Sequence, residues 1–237
     1  MNDAIRGIIK RTPLIGRLAG YIHREFFATP AKGPQFPGTE IFWENRYASG
    51  DNSGVGSYGF FSEFKAEVLN EFVASNNILS VLEFGCGDGN QLQLAKYPEY
   101  IGFDVSSTAV ELCRKRFAED RTKSFFLVSE YQNQRADLTL SLDVIFHLIE
   151  DQLFETYMRL LFGAAKQFVI IYSSNTNDNE GFVGTHVRHR KFTDWVEKNL
   201  PEWKLVRQVP NRYPYHGDYR TGSFSDFFFY RNFQDIE

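Results

Sequence analysis

Short apolar runs alternate with stretches of helical periodicity along most of the chain. Ile78-Leu79-Ser80-Val81-Leu82 is the first β-type run, and Tyr100–Asp104, Ser124–Val128, Asp137–Leu142 and Lys166–Tyr172 repeat the pattern. Ahead of them, Phe61, Phe64, Val68 and Phe72 share one helical face. Gln91–Lys96 reads as a short helix, and Val105-Ser106-Ser107 caps a helix carrying Val110, Cys113 and Phe117. Phe192, Trp195, Val196 and Leu200 mark a further helix, and Trp203–Val209 with Ser225–Tyr230 read as a closing strand pair. Strands alternating with helices predict an α/β domain with a mostly parallel sheet and helices on both faces.

The first residues follow another pattern. Ile5, Ile8 and Ile9 share a face, as do Ile15, Leu18, Ile22 and Phe26, with a break near Pro13. Basic side chains (Arg6, Lys10, Arg11, Arg17, Arg24) fill the other faces, so residues 1–28 suit the headgroup layer of an anionic membrane as well as packing on this domain or a second subunit. Ala28–Gly38, with three prolines and two glycines, reads as a linker. The expected division is therefore residues 1–38 as an N-terminal amphipathic helical segment with its linker, and residues 39–237 as the domain.

The stretch that carries chemistry is Val81-Leu82-Glu83-Phe84-Gly85-Cys86-Gly87-Asp88-Gly89, a strand emptying into alternate glycines. Glycine lets backbone amides approach a ligand closely, and the helix that follows aims its N-terminus at the same place. A dinucleotide fingerprint, G-x-G-x-x-G, has wider spacing, which disfavours a nicotinamide dehydrogenase. Glu83-x-Gly85-x-Gly87-x-Gly89, followed by Tyr100-Ile101-Gly102-Phe103-Asp104, resembles the class I S-adenosylmethionine-dependent methyltransferases over about residues 40–231. The resemblance implies a Rossmann-like seven-stranded sheet whose last strand is antiparallel, with S-adenosylmethionine as cofactor. It implies cofactor contacts at Glu83, Gly85, Cys86, Gly87 and Gly89, at Asp104 (to the ribose hydroxyls) and Val105, at Glu130 and Tyr131 (to the adenine), and at Leu142. Phe42–Ser57, an aromatic helix leading into a Gly/Ser/Asn loop, is expected to close over the cofactor, with Trp43 or Tyr47 against it.

An alcohol acceptor wants a histidine or carboxylate within hydrogen-bond reach. Asp143, His147, His186 and His189 are the candidates, and a helical turn after Leu142 would set Asp143 and His147 on one face. Asp143-x-x-Phe146-His147 lacks one acid of a divalent-metal pattern known in related enzymes, so no metal is expected. Tyrosines interleaved with Arg, His and Asp over Arg212–Arg220 suit a sugar, and the segments Trp43–Ser57 and Phe64–Asn70 resemble bacterial methyltransferases of polysaccharide and glycolipid biosynthesis. The expected partner is a small-molecule or glycan acceptor. The alternatives are another small metabolite, or a non-catalytic adenosyl-binding module at a membrane or partner.

Composition narrows the setting. At 237 residues and 43% hydrophobic the chain can bury one sizeable core, and a formal net charge of −4 points away from nucleic acid. Two cysteines, Cys86 and Cys113, form no disulfide framework. A cytoplasmic protein is expected, with peripheral contact at the inner membrane face through residues 1–28 and homo-oligomerisation left open.

Overall fold

The computed structural model describes residues 36–182 and 186–233. The amphipathic segment 1–28, and with it the membrane and oligomer expectations, lies outside the described residues. The strands are β1 (Ser80–Phe84), β2 (Glu99–Asp104), β3 (Lys123–Leu127), β4 (Ala136–Leu142), β5 (Ala165–Ser173), β6 (Trp203–Val209) and β7 (Asp226–Asn232). The helices are α1 (Thr39–Ala48), α2 (Gly59–Ser75), α3 (Ser107–Arg116), α4 (Asp151–Gly163) and α5 (Phe192–Asn199).

The seven strands lie in the order β3-β2-β1-β4-β5-β7-β6. The first five pair in parallel, while β7 runs antiparallel between β5 and β6. This is the expected Rossmann-like sheet. Its strands alternate between two buried faces, which is why they read as nearly unbroken apolar runs. Val81, Leu138, Leu140, Phe168, Ile170, Phe227 and Phe229 pack with α2 and α3 on one side. Leu82, Phe84, Val169, Ile171, Phe228 and Tyr230 pack with α4 and α5 on the other.

Three local features differ from expectation. Helix α4 stands outside the expected elements, although Leu153, Phe154, Met158, Leu161 and Phe162 place a buried stripe at helical spacing. Gln91–Leu94 is a 3-10 turn, not an α-helix. After β4 the chain does not turn α-helical: Asp143 takes a left-handed φ of 58° and only Ile145–His147 form a 3-10 turn. Asp143 and His147 therefore share no helical face.

Candidate active site

The site lies at the carboxyl ends of β1, β2, β4 and β5, where an open α/β sheet binds ligands. The loop after β1 is fastened to β2: the Gly85 and Cys86 amides both donate to the Phe103 carbonyl, at 2.7 and 3.1 Å. Gly85 and Gly87 take φ of 90° and 57°, a region costly for any residue with a Cβ. A Cβ on Gly85 would run into Val144, and one on Gly87 would run into Ser53 Oγ, with the Tyr47 hydroxyl 3.0 Å away. Asp104, buried at the end of β2, accepts from the Gly87 amide through Oδ2 and from the Ser106 amide through Oδ1, both at 2.9 Å. Burial raises its pKa to about 6, against the pull of those amides.

Residues 39–58 fold over this loop. Ser53 and Asp88 exchange two bonds, Ser53 N to Oδ2 at 3.1 Å and Asp88 N to Ser53 Oγ at 2.9 Å. The Tyr58 hydroxyl donates to Asp88 Oδ2 at 2.6 Å, and the Tyr47 hydroxyl shares a 3.1 Å bond with Ser53 Oγ. Glu44 of α1 accepts from the Ser106 hydroxyl at 2.8 Å and the Thr108 amide at 3.3 Å, a carboxylate on the N-terminus of α3. Burial alone would raise the Glu44 pKa, but these donors outweigh it and the net shift is downward. Glu44, Ser53, Tyr58 and Asp88 were not among the candidates. Glu44 and Tyr58 carried no signal beyond their place beside the aromatic and glycine-rich stretch.

The other cofactor candidates fall in different surroundings. Glu83 lies buried below the loop, bonded to the Tyr100 hydroxyl at 2.6 Å, and burial lifts its pKa to about 7. Cys86 packs against the buried Cys113, whose thiol donates to the Gly87 carbonyl. Val105 is half-buried beside Asp104, and Leu142 belongs to the core. Glu130 turns back to accept from the Leu127 amide at 2.8 Å. Tyr131 sets its ring edge against Phe103, 5.4 Å away, and its hydroxyl donates to the Gln134 carbonyl.

The four catalytic candidates separate into two groups. Asp143 sits on Lys65 and Ser225: Lys65 Nζ donates to Oδ2 at 2.9 Å and Ser225 Oγ to Oδ1 at 2.8 Å. The histidines form the second group. His147 and His186 stack with centroids 5.1 Å apart, Phe42 covers His186 at 4.7 Å, and Trp43 meets His147 edge-on at 5.0 Å. His147 Nδ1 lies 2.9 Å from the His186 carbonyl, so that nitrogen carries the proton. Burial pushes the His147 pKa down to about 3. His189 is buried, shares a 2.6 Å bond with Ser174 Oγ, and is flanked by Phe182 and Phe224.

The basic residues beside the histidines are spent on structure. Arg188 and Arg190 both reach Asp151 and donate to the carbonyls of Leu148 and Ile149. In the tyrosine loop, Arg212 pairs with Glu67 at 2.7 Å and Tyr213 packs on Phe60 and Phe61, an aromatic corner. Tyr215 and Tyr219 remain exposed. Among the described residues no cluster of His, Cys, Asp and Glu has the makings of a metal site, and no helix is long and apolar enough to cross a membrane.

Two predictions arise from this geometry. Gly87→Ala should lower stability by about 1–2 kcal/mol through left-handed strain, and more if Ser53 cannot yield. Urea unfolding of the variant measures it, and a wild-type midpoint would contradict the packing described. The second concerns pH. Folding holds His147 neutral by depressing its pKa from 6.5 to about 3, so its stabilising contribution is whole above 6.5 and is lost as pH falls through that window. The melting temperature of His147→Gln should therefore decline less steeply from pH 7 to 4.5 than that of the wild type, and equal slopes would contradict the assignment.

Residues 81–167 match the model of a methyltransferase domain. No curated protein matches the chain. Among solved structures, the N-methyltransferase NodS from Bradyrhizobium japonicum with S-adenosyl-L-homocysteine is 16% identical, covers 83% of this chain and 99% of its own, and superimposes with a TM-score of 0.65. Magnesium protoporphyrin IX methyltransferase from Synechocystis PCC 6803 with bound SAM is 14% identical, with 86% and 100% covered and a TM-score of 0.59. The small RNA methyltransferase HEN1 is 19% identical, with 73% of this chain and 25% of that one covered and a TM-score of 0.53. At these identities the likeness shows the fold. The chain thus has the Rossmann-like fold of these methyltransferases, and its residues 81–167 match a methyltransferase domain. S-adenosylmethionine is the cofactor that this domain and its glycine cradle support. Because one such neighbour is a small RNA methyltransferase, the fold does not carry the expectation that nucleic acid is excluded as a partner.

Proposed function

We propose that the domain transfers a methyl group from S-adenosylmethionine to a hydroxyl of a sugar or glycan intermediate. The residues fit the cofactor's chemistry. Asp104 is a buried carboxylate whose pKa burial raises although the Gly87, Val105 and Ser106 amides donate to it, and ribose hydroxyls would add further donors. The positive φ of Gly85, Gly87 and Gly89 shapes the loop beside Asp104, with Val144, Ser53 and Cys113 packed where a Cβ would stand, and the loop's backbone would edge the nucleoside. Bound there, the cofactor would supply an electrophilic methyl carbon on its sulfonium, which the acceptor oxygen would take in exchange for S-adenosylhomocysteine as its own proton leaves.

The observation that carries the hydroxyl reading is Asp143. It follows β4 directly, beside the Val144 that packs on Gly85, and both of its oxygens are tethered while its side chain stays 22% exposed. A fixed carboxylate of this kind accepts from a hydroxyl and orients its lone pair towards the methyl carbon. His147 is poorly suited, because a base of pKa about 3 takes up little proton near neutrality. For the sugar, support comes from the exposed Tyr215 and Tyr219, aromatic faces set among the polar residues of Arg212–Arg220.

The test is transfer of isotopically labelled methyl into a glycan and glycolipid fraction, an amine metabolite panel and small RNA, run in parallel. Label recovered as an O-methyl sugar after acid hydrolysis supports the reading, and label confined to amines or RNA refutes it.

A further inference from the structure

Lys65 is the residue that the fold alone does not account for. It lies on the buried stripe of α2 among Phe61, Phe64, Val68, Leu69 and Phe72, and its side chain is only 1% exposed. Burying an ammonium costs several kcal/mol before any partner repays it, and an apolar residue of similar volume would usually serve packing as well or better. The apolar stripe itself calls for no charge; the ammonium acts instead on carboxylates beyond it, opposing the burial that lifts the Glu83 pKa and bonding Asp143.

What Lys65 touches is the acceptor side of the proposed site. Its Nζ is 2.9 Å from Asp143 Oδ2 and lies 5.1 Å from the centre of the Tyr172 ring. The platform below is itself fixed, since Asn211 Nδ2 donates to the Tyr172 hydroxyl at 2.5 Å and Asn211 N to Asp226 at 2.8 Å. On the other side Ser225 donates to Oδ1, and the Asp143 amide donates to the Tyr172 carbonyl at 2.8 Å. A Cβ on Gly56, in the segment that covers the glycine loop, would stand 3.1 Å from Asp143 Oδ2. Donors from α2 and from Ser225, just ahead of β7, thus aim one carboxylate at the place where the covering segment meets the end of β4.

We propose that Lys65 is a positioning residue for methyl transfer, fixing the Asp143 carboxylate towards the acceptor and cancelling its charge so that a neutral hydroxyl is taken in preference to an ammonium. This rests on the hydroxyl-methylating reading above. An unpaired carboxylate at the same place would attract a cationic amine and would be free to rotate. Paired with Lys65 it is held and carries no net charge to offer.

The test uses the full chain as Lys65→Met, Asp143→Asn and the double variant. In Lys65→Met, S-adenosylhomocysteine should bind within twofold of wild type, while transfer into the fraction that wild type labels falls at least tenfold, in kcat and not in the cofactor KM. In the Asp143→Asn background the same substitution should change transfer by less than twofold, because Lys65 acts through Asp143. A crystal structure of Lys65→Met should show the Asp143 carboxylate turned from its present direction. Wild-type transfer by Lys65→Met, a further tenfold loss in the double variant, or an unmoved carboxylate overturns the proposal. If wild type labels amines or RNA and no glycan, the hydroxyl reading fails, and the carboxylate's direction in the variant still decides whether Lys65 positions it. If Lys65→Met does not fold, the comparison of Asp143→Asn with the double variant, which buries no charge at this place, decides in its stead.

Discussion

Asp143→Ala should lower stability to unfolding by about 3 kcal/mol, a loss on the scale of breaking a buried ion pair. The Lys65 ammonium, 1% exposed, would keep its desolvation cost and lose the carboxylate 2.9 Å away. Ser225 would lose its acceptor as well. Backbone strain adds to this, because Asp143 holds a left-handed φ of 58°, which aspartate and asparagine tolerate better than alanine. Asp143→Asn should lose roughly half as much, since it tolerates that φ and still offers Lys65 an oxygen. Adding Lys65→Met to Asp143→Ala should recover most of the loss by removing the stranded charge. Urea unfolding of the four proteins measures all of this. An Asp143→Ala midpoint equal to wild type would mean that the ammonium finds water or another partner, and the buried pair would then lose its energetic meaning.

Why the sequence revealed one half of the site and hid the other follows from where the information sits. The glycine cradle is local: Gly85, Gly87 and Gly89 lie within five consecutive residues, and Asp104 ends the next strand in the same parallel register. Strand ends in an α/β sheet gather at one edge, so a motif and a spaced acid suffice to place a cofactor. The Lys65–Asp143 pair spans 78 positions and joins a helix face to a strand end. The stripe Phe61, Phe64, Val68, Phe72 was legible, and a lysine four residues after Phe61 on that stripe was the one signal available. Periodicity shows that it points inward and nothing about what it meets. His147 and His186 read as candidates because imidazoles are versatile. They are half-buried, and their stacking against Phe42 and Trp43 depends on how residues 39–58 fold back over the sheet. The turn at Asp143 escaped for a related reason: an apolar run through Ile145 and Phe146 looks like a helix start, whereas the backbone first passes through a left-handed residue.

Asp104→Ala should weaken S-adenosylhomocysteine binding roughly tenfold to 150-fold, the equivalent of about 1.5–3 kcal/mol for charge-assisted bonds to two hydroxyls. Two losses combine. The ribose would lose its acceptor, and the loop would lose a brace, because Asp104 ties the Gly87 amide to the Ser106 amide at the start of α3. Calorimetric titration separates them when Asp104→Asn is included: asparagine keeps one acceptor oxygen for the brace and gives up the charge. NAD serves as the control and should show no heat with any of the proteins. The raised pKa of Asp104 supplies a second signature. Burial holds its carboxyl at about 6 in the free chain, so below that pH it is largely protonated and must lose its proton to accept both hydroxyls. Binding that favours the ionised form pulls the pKa down, and affinity must then fall as pH drops from 7.5 towards 5. Asp104→Asn has no such proton to lose and should bind weakly with a flatter pH profile. A wild-type profile equally flat would mean that the ligand does not engage this carboxylate, and unchanged affinity in Asp104→Ala would remove it from the cofactor site altogether.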